Sequence, residues 1–180
     1  IERFNPTTGV SRRTGDLAAF VRCGNGYLTL FNDTVAASPA AGVAEKMDEV
    51  LYDAGVCYEE GRSLSAAIAA YQELRDRFPA SPVAARALAR LGAVYARVAY
   101  YREASTMFEQ YARAYAGQRD AYQAMNDAVI YRKGIGDDAQ AIADTTFFIR
   151  RFGGAQPGDA ARAFFSLGAI YEKRGELDQV

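Results

Sequence analysis

GVCYEEGRSLSAAIAAYQELRDRFP, residues 55–79, carries the pattern that decides the fold. Gly55 is followed three positions later by Tyr58, and Ala67 is followed four positions later by Tyr71. Residues three or four apart share a helical face, so the small residue lets a neighbouring backbone approach and the ring fills the adjoining gap. Gly61 stops the first helical pattern, Ser63 is placed to cap the second, and Phe78-Pro79 ends it. The stretch therefore reads as two short helices joined by a tight turn.

The same arrangement returns downstream. Ala67, Ala104 and Ala141 are 37 residues apart both times, and Tyr71, Phe108 and Thr145 follow each alanine at the fourth position. Small–aromatic pairs stand upstream at Gly55/Tyr58, Gly92/Tyr95, Ala128/Tyr131 and Gly168/Tyr171, with Gly24/Tyr27 as a degenerate fifth. Ser81-Pro82, Asp137 and Pro157 start helices, while Gly117, Gly134 and Gly153-Gly154 stop them. These marks predict helices near 46–60, 64–78, 82–98, 101–116, 119–133, 138–152 and 157–174. Short loops make successive helices antiparallel neighbours. The predicted fold class is all-α, antiparallel helix pairs repeated over residues 46–180, with about three full units and a truncated fourth. Residues 1–45 fit the series poorly. They are read as an N-terminal segment with one helix over 15–31, a linker from Asn32 to Gly42, and an irregular stretch over 1–13.

Composition narrows the chemistry. The 180 residues hold no histidine, which removes the usual general base, the usual zinc ligand and every imidazole-based triad. Cys23 and Cys57 cannot form a tetrahedral thiolate site by themselves. They read as buried free thiols within apolar helical patterns; a disulfide in an oxidising compartment is the alternative. A formal net charge of −1 gives no global attraction to nucleic acid or an anionic membrane. No apolar run reaches the ~18 to 20 residues that span a bilayer. The sequence opens at Ile1 rather than at methionine and is read as a piece or a processed product of a longer chain.

These residues resemble the tetratricopeptide repeat family. Gly55, Tyr58, Ala67, Tyr71 and Pro79 match one unit without gaps; Leu91-Gly92, Tyr95, Tyr101, Ala104 and Phe108 match the next, with Ala116 where proline is expected. In the third, Ala128, Tyr131 and Ala141 fit, but Gly134–Gly136 reads as one residue too many in the turn, and Thr145 replaces the ring. Leu167-Gly168, Tyr171, Gly175 and Leu177 begin a fourth. The 37-residue period, longer than the family's usual length near 34, resembles the bacterial cell-envelope branch. That branch includes the outer-membrane barrel-assembly lipoprotein and the coordinator of the Tol-Pal system. Asp53–Tyr58 and Tyr131–Gly134 also resemble envelope-associated repeat proteins of myxobacteria, some tied to gliding motility. The resemblance implies a periplasmic or outer-membrane-associated setting, with the cytoplasm as the alternative.

The resemblance also implies a right-handed α-solenoid of these antiparallel helix pairs, in which the first helix of each pair lines a concave binding surface. In that register the groove residues are Glu49, Tyr52, Val56, Glu59 and Glu60, then Arg86, Arg90 and Arg97. The third unit offers Tyr122, Met125, Asn126, Arg132 and Lys133, and the fourth Arg162, Phe165 and Lys173. At 100° per residue, Arg86, Arg90 and Arg97 fall within about 40° of one another. Guanidinium forks beside Tyr52, Tyr122 and Phe165 suit a carboxylate-bearing peptide. The competing expectation is that these arginines solvate a helix face and pair with Glu49, Glu59 or Glu60. Tyr58, Tyr95, Tyr131 and Tyr171 read as interhelical packing rather than a ligand ladder. Asp137-Asp138 and Glu59-Glu60 do not converge, since adjacent helical residues point about 100° apart. Gly134-Ile135-Gly136 lacks the strand and spacing of a phosphate loop.

The expected function is thus a non-enzymatic scaffold that binds a partner protein or peptide in a bacterial envelope complex. No catalytic residue, cofactor, metal, nucleic-acid partner or membrane insertion is expected. The alternatives are a structural spacer or self-association segment of a longer array, or a regulatory repeat attached to an enzyme domain elsewhere in the parent chain.

Overall fold

Residues 2–4, 11–13, 16–37, 46–176 and 178 are described by the structure, a computed structural model. Two short antiparallel strands come first, β1 (Glu2–Phe4) and β2 (Ser11–Arg13), with Arg3 opposite Arg12. Eight helices follow among the described residues: α1 (Leu17–Ala37), α2 (Met47–Glu60), α3 (Leu64–Arg77), α4 (Ala84–Arg97), α5 (Tyr101–Ala114), α6 (Ala121–Gly134), α7 (Asp138–Phe152) and α8 (Pro157–Arg174). The irregular reading of 1–13 gives way to strands at 2–4 and 11–13; residues 1 and 5–10 lie outside the described set. The linker reading is corrected as far as residue 37, because α1 runs on through Asn32–Ala37; residues 38–45 lie outside the described set.

From α2 onward the backbone keeps a strict period. Helices α2, α4 and α6 begin at 47, 84 and 121, and α3, α5 and α7 at 64, 101 and 138, each step being 37. Every pair is joined by three residues, and the middle one is left-handed: Arg62 (φ 57°), Ala99 (φ 61°) and Gly136 (φ 75°). The N–H of the third turn residue donates five positions back: Ser63 to the Tyr58 carbonyl, Tyr100 to that of Tyr95, Asp137 to that of Arg132, each at 2.9 Å. This geometry corrects the third unit. Its turn has no extra residue, so Val129 and Arg132, rather than Ala128 and Tyr131, stand where Gly55/Tyr58 and Gly92/Tyr95 stand.

The caps are mixed. Ser81 Oγ accepts from the Val83 N–H and donates to Asp48, and Asp137 caps α7 through the Gln140 N–H. Ser63 stands at the start of α3 but makes no side-chain cap bond.

Two compact units divide the chain, residues 1–87 and 88–180, with the boundary inside α4. In the first, α1 packs on α2 and α2 on α3. A Cβ at Gly55 would overlap the Tyr71 ring, and one at Gly24 would lie 2.7 Å from the Tyr58 ring. Tyr58 Oη donates to Asn25 Oδ1 at 2.9 Å. Gly61 is not left-handed; a Cβ there would press on Val21 of α1. Cys23 and Cys57 are joined as a disulfide with Cα atoms 5.9 Å apart, which corrects the free-thiol reading. Neither is fully buried, Cys23 being exposed and Cys57 half-buried.

In the second unit α5 packs on α6, α6 on α7 and α7 on α8. Phe108 closes over Gly92, where a Cβ would sit 2.9 Å from the ring. The rings of Tyr101 and Phe108 both stack near-parallel to Tyr131 at 5.3 and 6.2 Å, and Tyr58 and Tyr95 are buried, as packing residues should be.

Candidate functional site

In the first unit, α2 turns Glu49, Asp53 and Glu60 to solvent. Tyr52 is not a free groove aromatic. It is only 5% exposed, with its ring 6.0 Å from that of Tyr71 and the Arg86 guanidinium 4.4 Å above it. Glu59 is also engaged, since its Oε1 accepts from Tyr71 Oη at 2.7 Å. Arg86 itself is exposed and lies against a ring rather than a carboxylate, a cation–π contact worth about 0.5–1 kcal/mol at such sites.

On the α4 segment of the second unit, Arg97 is exposed and Arg90 half-buried, and each already takes part in an interaction. On α6 the corrected register decides what faces water. Met125 is fully buried and Arg132 is 6% exposed, so neither lies on a binding surface. The exposed stripe is Gln123, Asn126, Ile130 and Lys133, spaced three and four apart, with Ile130 54% exposed. Tyr122 is half-buried and lines an open pocket of about 500 Å³ with Gln118, Arg119, Asp120 and Gln123. On α8, Phe165 is 81% exposed, Arg162 pairs with Asp159, and Lys173 reaches Asp138 at 3.2 Å.

What holds Arg132 inside is a charge cluster that the sequence reading missed. Its guanidinium hydrogen-bonds Glu109 and lies 2.9 Å from Asp144 Oδ2, a contact angled as an ion pair rather than a hydrogen bond. Arg113 bonds Glu109 Oε1 at 2.8 Å and Asp144 Oδ1 at 3.2 Å, with its guanidinium 4.3 Å over the Phe147 ring. Gln140 Nε2 also donates to Glu109 Oε1. Asp144 is wholly buried; burial, with the Glu109 charge adding, pushes its carboxyl up to about 6 against the pull of Arg132 and Arg113. The cluster joins α5, α6 and α7 and fixes how these helices are oriented. A signal was present: Ala141, Asp144, Thr145 and Phe148 form one buried i, i+3, i+4, i+7 stripe, and a carboxylate on such a stripe needs a cation. Among the described residues no cluster of acidic or thiol groups could hold a metal, and no helix is long and apolar enough to cross a membrane.

Residues 49–81, the helical pair α2–α3 with its closing Phe78-Pro79, match the tetratricopeptide repeat family TPR_6. The chain carries a tetratricopeptide repeat. The 37-residue register extends the same helix–turn–helix through α4–α5 and α6–α7. The fold is similar to that of MamA of AMB-1 (TM-score 0.55, 15% identity, covering 91% of this chain and 85% of that one). It is also similar to BtubC (BKLC) from P. vanneervenii (TM-score 0.52, 12% identity, covering 87% and 68%). No curated protein sequence matches the chain. The all-α, tetratricopeptide-like solenoid fold is thereby established. The narrower envelope-lipoprotein branch is not reached by these likenesses.

Proposed function

We propose that the chain binds a partner protein or peptide on the exposed faces of its first helices, within a bacterial envelope complex. The observation that carries the reading is the tetratricopeptide register itself. It buries one face of each first helix against its partner and leaves the opposite face in water, so that α6 presents Gln123, Asn126, Ile130 and Lys133 as a continuous stripe. Two amides able to bond extended backbone, one apolar contact and one cation suit a peptide segment bearing a carboxylate. On the α4 segment of the same unit, Arg97 is a further exposed cation. The envelope setting is supported by the Cys23–Cys57 disulfide, because such bonds persist in oxidising compartments.

Immobilised protein challenged with envelope extract tests the reading. Proteins retained by the wild type should be lost, by at least tenfold, when Ile130→Asp and Lys133→Glu are combined, with the helical circular-dichroism spectrum unchanged. Equal retention by both proteins sinks the α6 surface.

A further inference from the structure

The disulfide does more than mark a compartment. Helix α1 is 21 residues long, yet only Gly24 and Phe31 on it are buried, whereas the 14-residue α2 buries six. Its noncovalent ties include Gly24 against the Tyr58 ring, Asn25 under the Tyr58 hydroxyl, Val21 against Gly61, and Phe31 edge-on to Phe78 at 6.4 Å. Leu17 and Leu30 point to solvent. A helix with two fully buried residues along 21 is held less firmly per turn than α2 is. The covalent tie among the described residues is Cys23–Cys57, 34 residues apart in sequence and seated between the Val21–Gly61 and Gly24–Tyr58 contacts.

We propose that the Cys23–Cys57 disulfide is a redox clasp that holds α1 on α2, and that its reduction releases α1 and uncovers the α2 face around Tyr58. The access is there, since Cys23 is exposed. A dithiol reductant of the thioredoxin class attacks through its thiolate, the protein S–S bond breaks, and a mixed disulfide forms with one thiolate leaving. The second thiol of the reductant then displaces the other sulfur. Two electrons and two protons end on Cys23 and Cys57, and the reductant leaves as its own disulfide. Once the loop of 34 residues is open, only the noncovalent ties remain, and α1 opens far more often than the rest of the unit.

Thiol titration and hydrogen exchange on the whole chain decide the matter. Untreated, denatured protein should titrate no thiol, and protein treated with dithiothreitol should titrate two. After reduction and alkylation, amides over residues 17–37 should exchange on the order of a hundredfold faster, while those of α3 and α5–α7 keep their protection. Cys23→Ser, a change at an exposed site, should match the reduced protein and ignore reductant; Cys57→Ser serves if that variant is poorly made. Two free thiols in untreated protein, or α1 protection unchanged by reduction, would overturn the clasp. So would loss of protection throughout the chain, which would make the bond a global staple.

Discussion

The first helix pair, α2–α3, and the third, α6–α7, share one backbone register and fill it with opposite chemistry. In the first, Gly55 gives way to the Tyr71 ring, Tyr58 is buried against α1, and Ala70 sits beside Tyr71. In the third, the equivalent positions hold Val129, Thr145, Arg132 and Asp144, all buried. Where glycine is replaced by a larger residue, the ring across from it has shrunk to threonine. The aromatic at the other contact has become a guanidinium, answered by carboxylates on α5 and α7. A ring tolerates a neighbour's shape loosely, whereas a buried ion pair fixes partner and distance. The shared scaffold therefore rests on van der Waals fit in one place and on charge pairing in the other.

The largest test breaks the charge pairing. Arg132→Met leaves buried Asp144 and half-buried Glu109 with one cation fewer and should cost about 3–5 kcal/mol in chemical denaturation. Arg132→Tyr combined with Asp144→Met copies Tyr95 and Met107 of the second pair. It should recover most of that loss, since apolar replacement of a buried ion set is near neutral. If the double variant is as unstable as the single one, the register equivalence of the pairs is wrong. The same cluster has a pH signature. Because the Asp144 carboxyl is raised to about 6 from 3.8, the folded chain keeps a proton between those values that the unfolded chain has released. This group's contribution to stability is thus present below about pH 4 and is lost as pH rises towards and past 6. Asp144→Asn should flatten that part of the stability profile, and an unchanged slope would mean Asp144 does not titrate there.

A smaller effect is expected on the aromatic side. Gly55→Ala places a methyl inside the Tyr71 ring contact and should cost about 1–3 kcal/mol. The same change at Gly92, where the Phe108 ring stands 2.9 Å from the added carbon, should cost less. Similar melting temperatures for both variants would show that the rings simply swing aside. The smallest effect lies in the turns. Ala99→Gly relieves a left-handed residue and should stabilise by about 0.5–1 kcal/mol, while Gly136→Ala should destabilise by about 1 kcal/mol. A neutral result for both would show that the turns relax without strain.

Much of this was legible in the residues. The 37-residue step, the helix starts at 64, 101, 138 and 157, and the packing role of Tyr58 and Tyr95 follow from small–aromatic spacing and from stop signals. The third pair misled because the rule sought an aromatic and found Tyr131, one residue away from the position that Arg132 occupies. That slip turned the α6 surface by about 100°. It offered Met125 and Arg132 as groove residues in place of Gln123 and Ile130. Asn126 and Lys133 survived on the exposed face, while Tyr52 proved to be buried beneath Arg86.

The period, the helical class and the lack of imidazole are local properties of spacing and composition, and the residues alone fix them. Packing was needed to settle which side of α6 meets water, that Arg132 is answered by Glu109 and Asp144, and that Cys23 meets Cys57. Each depends on residues 12 to 34 positions apart being brought within a few ångströms. Helical periodicity fixes the angle of a side chain about its own axis. It does not fix what stands opposite.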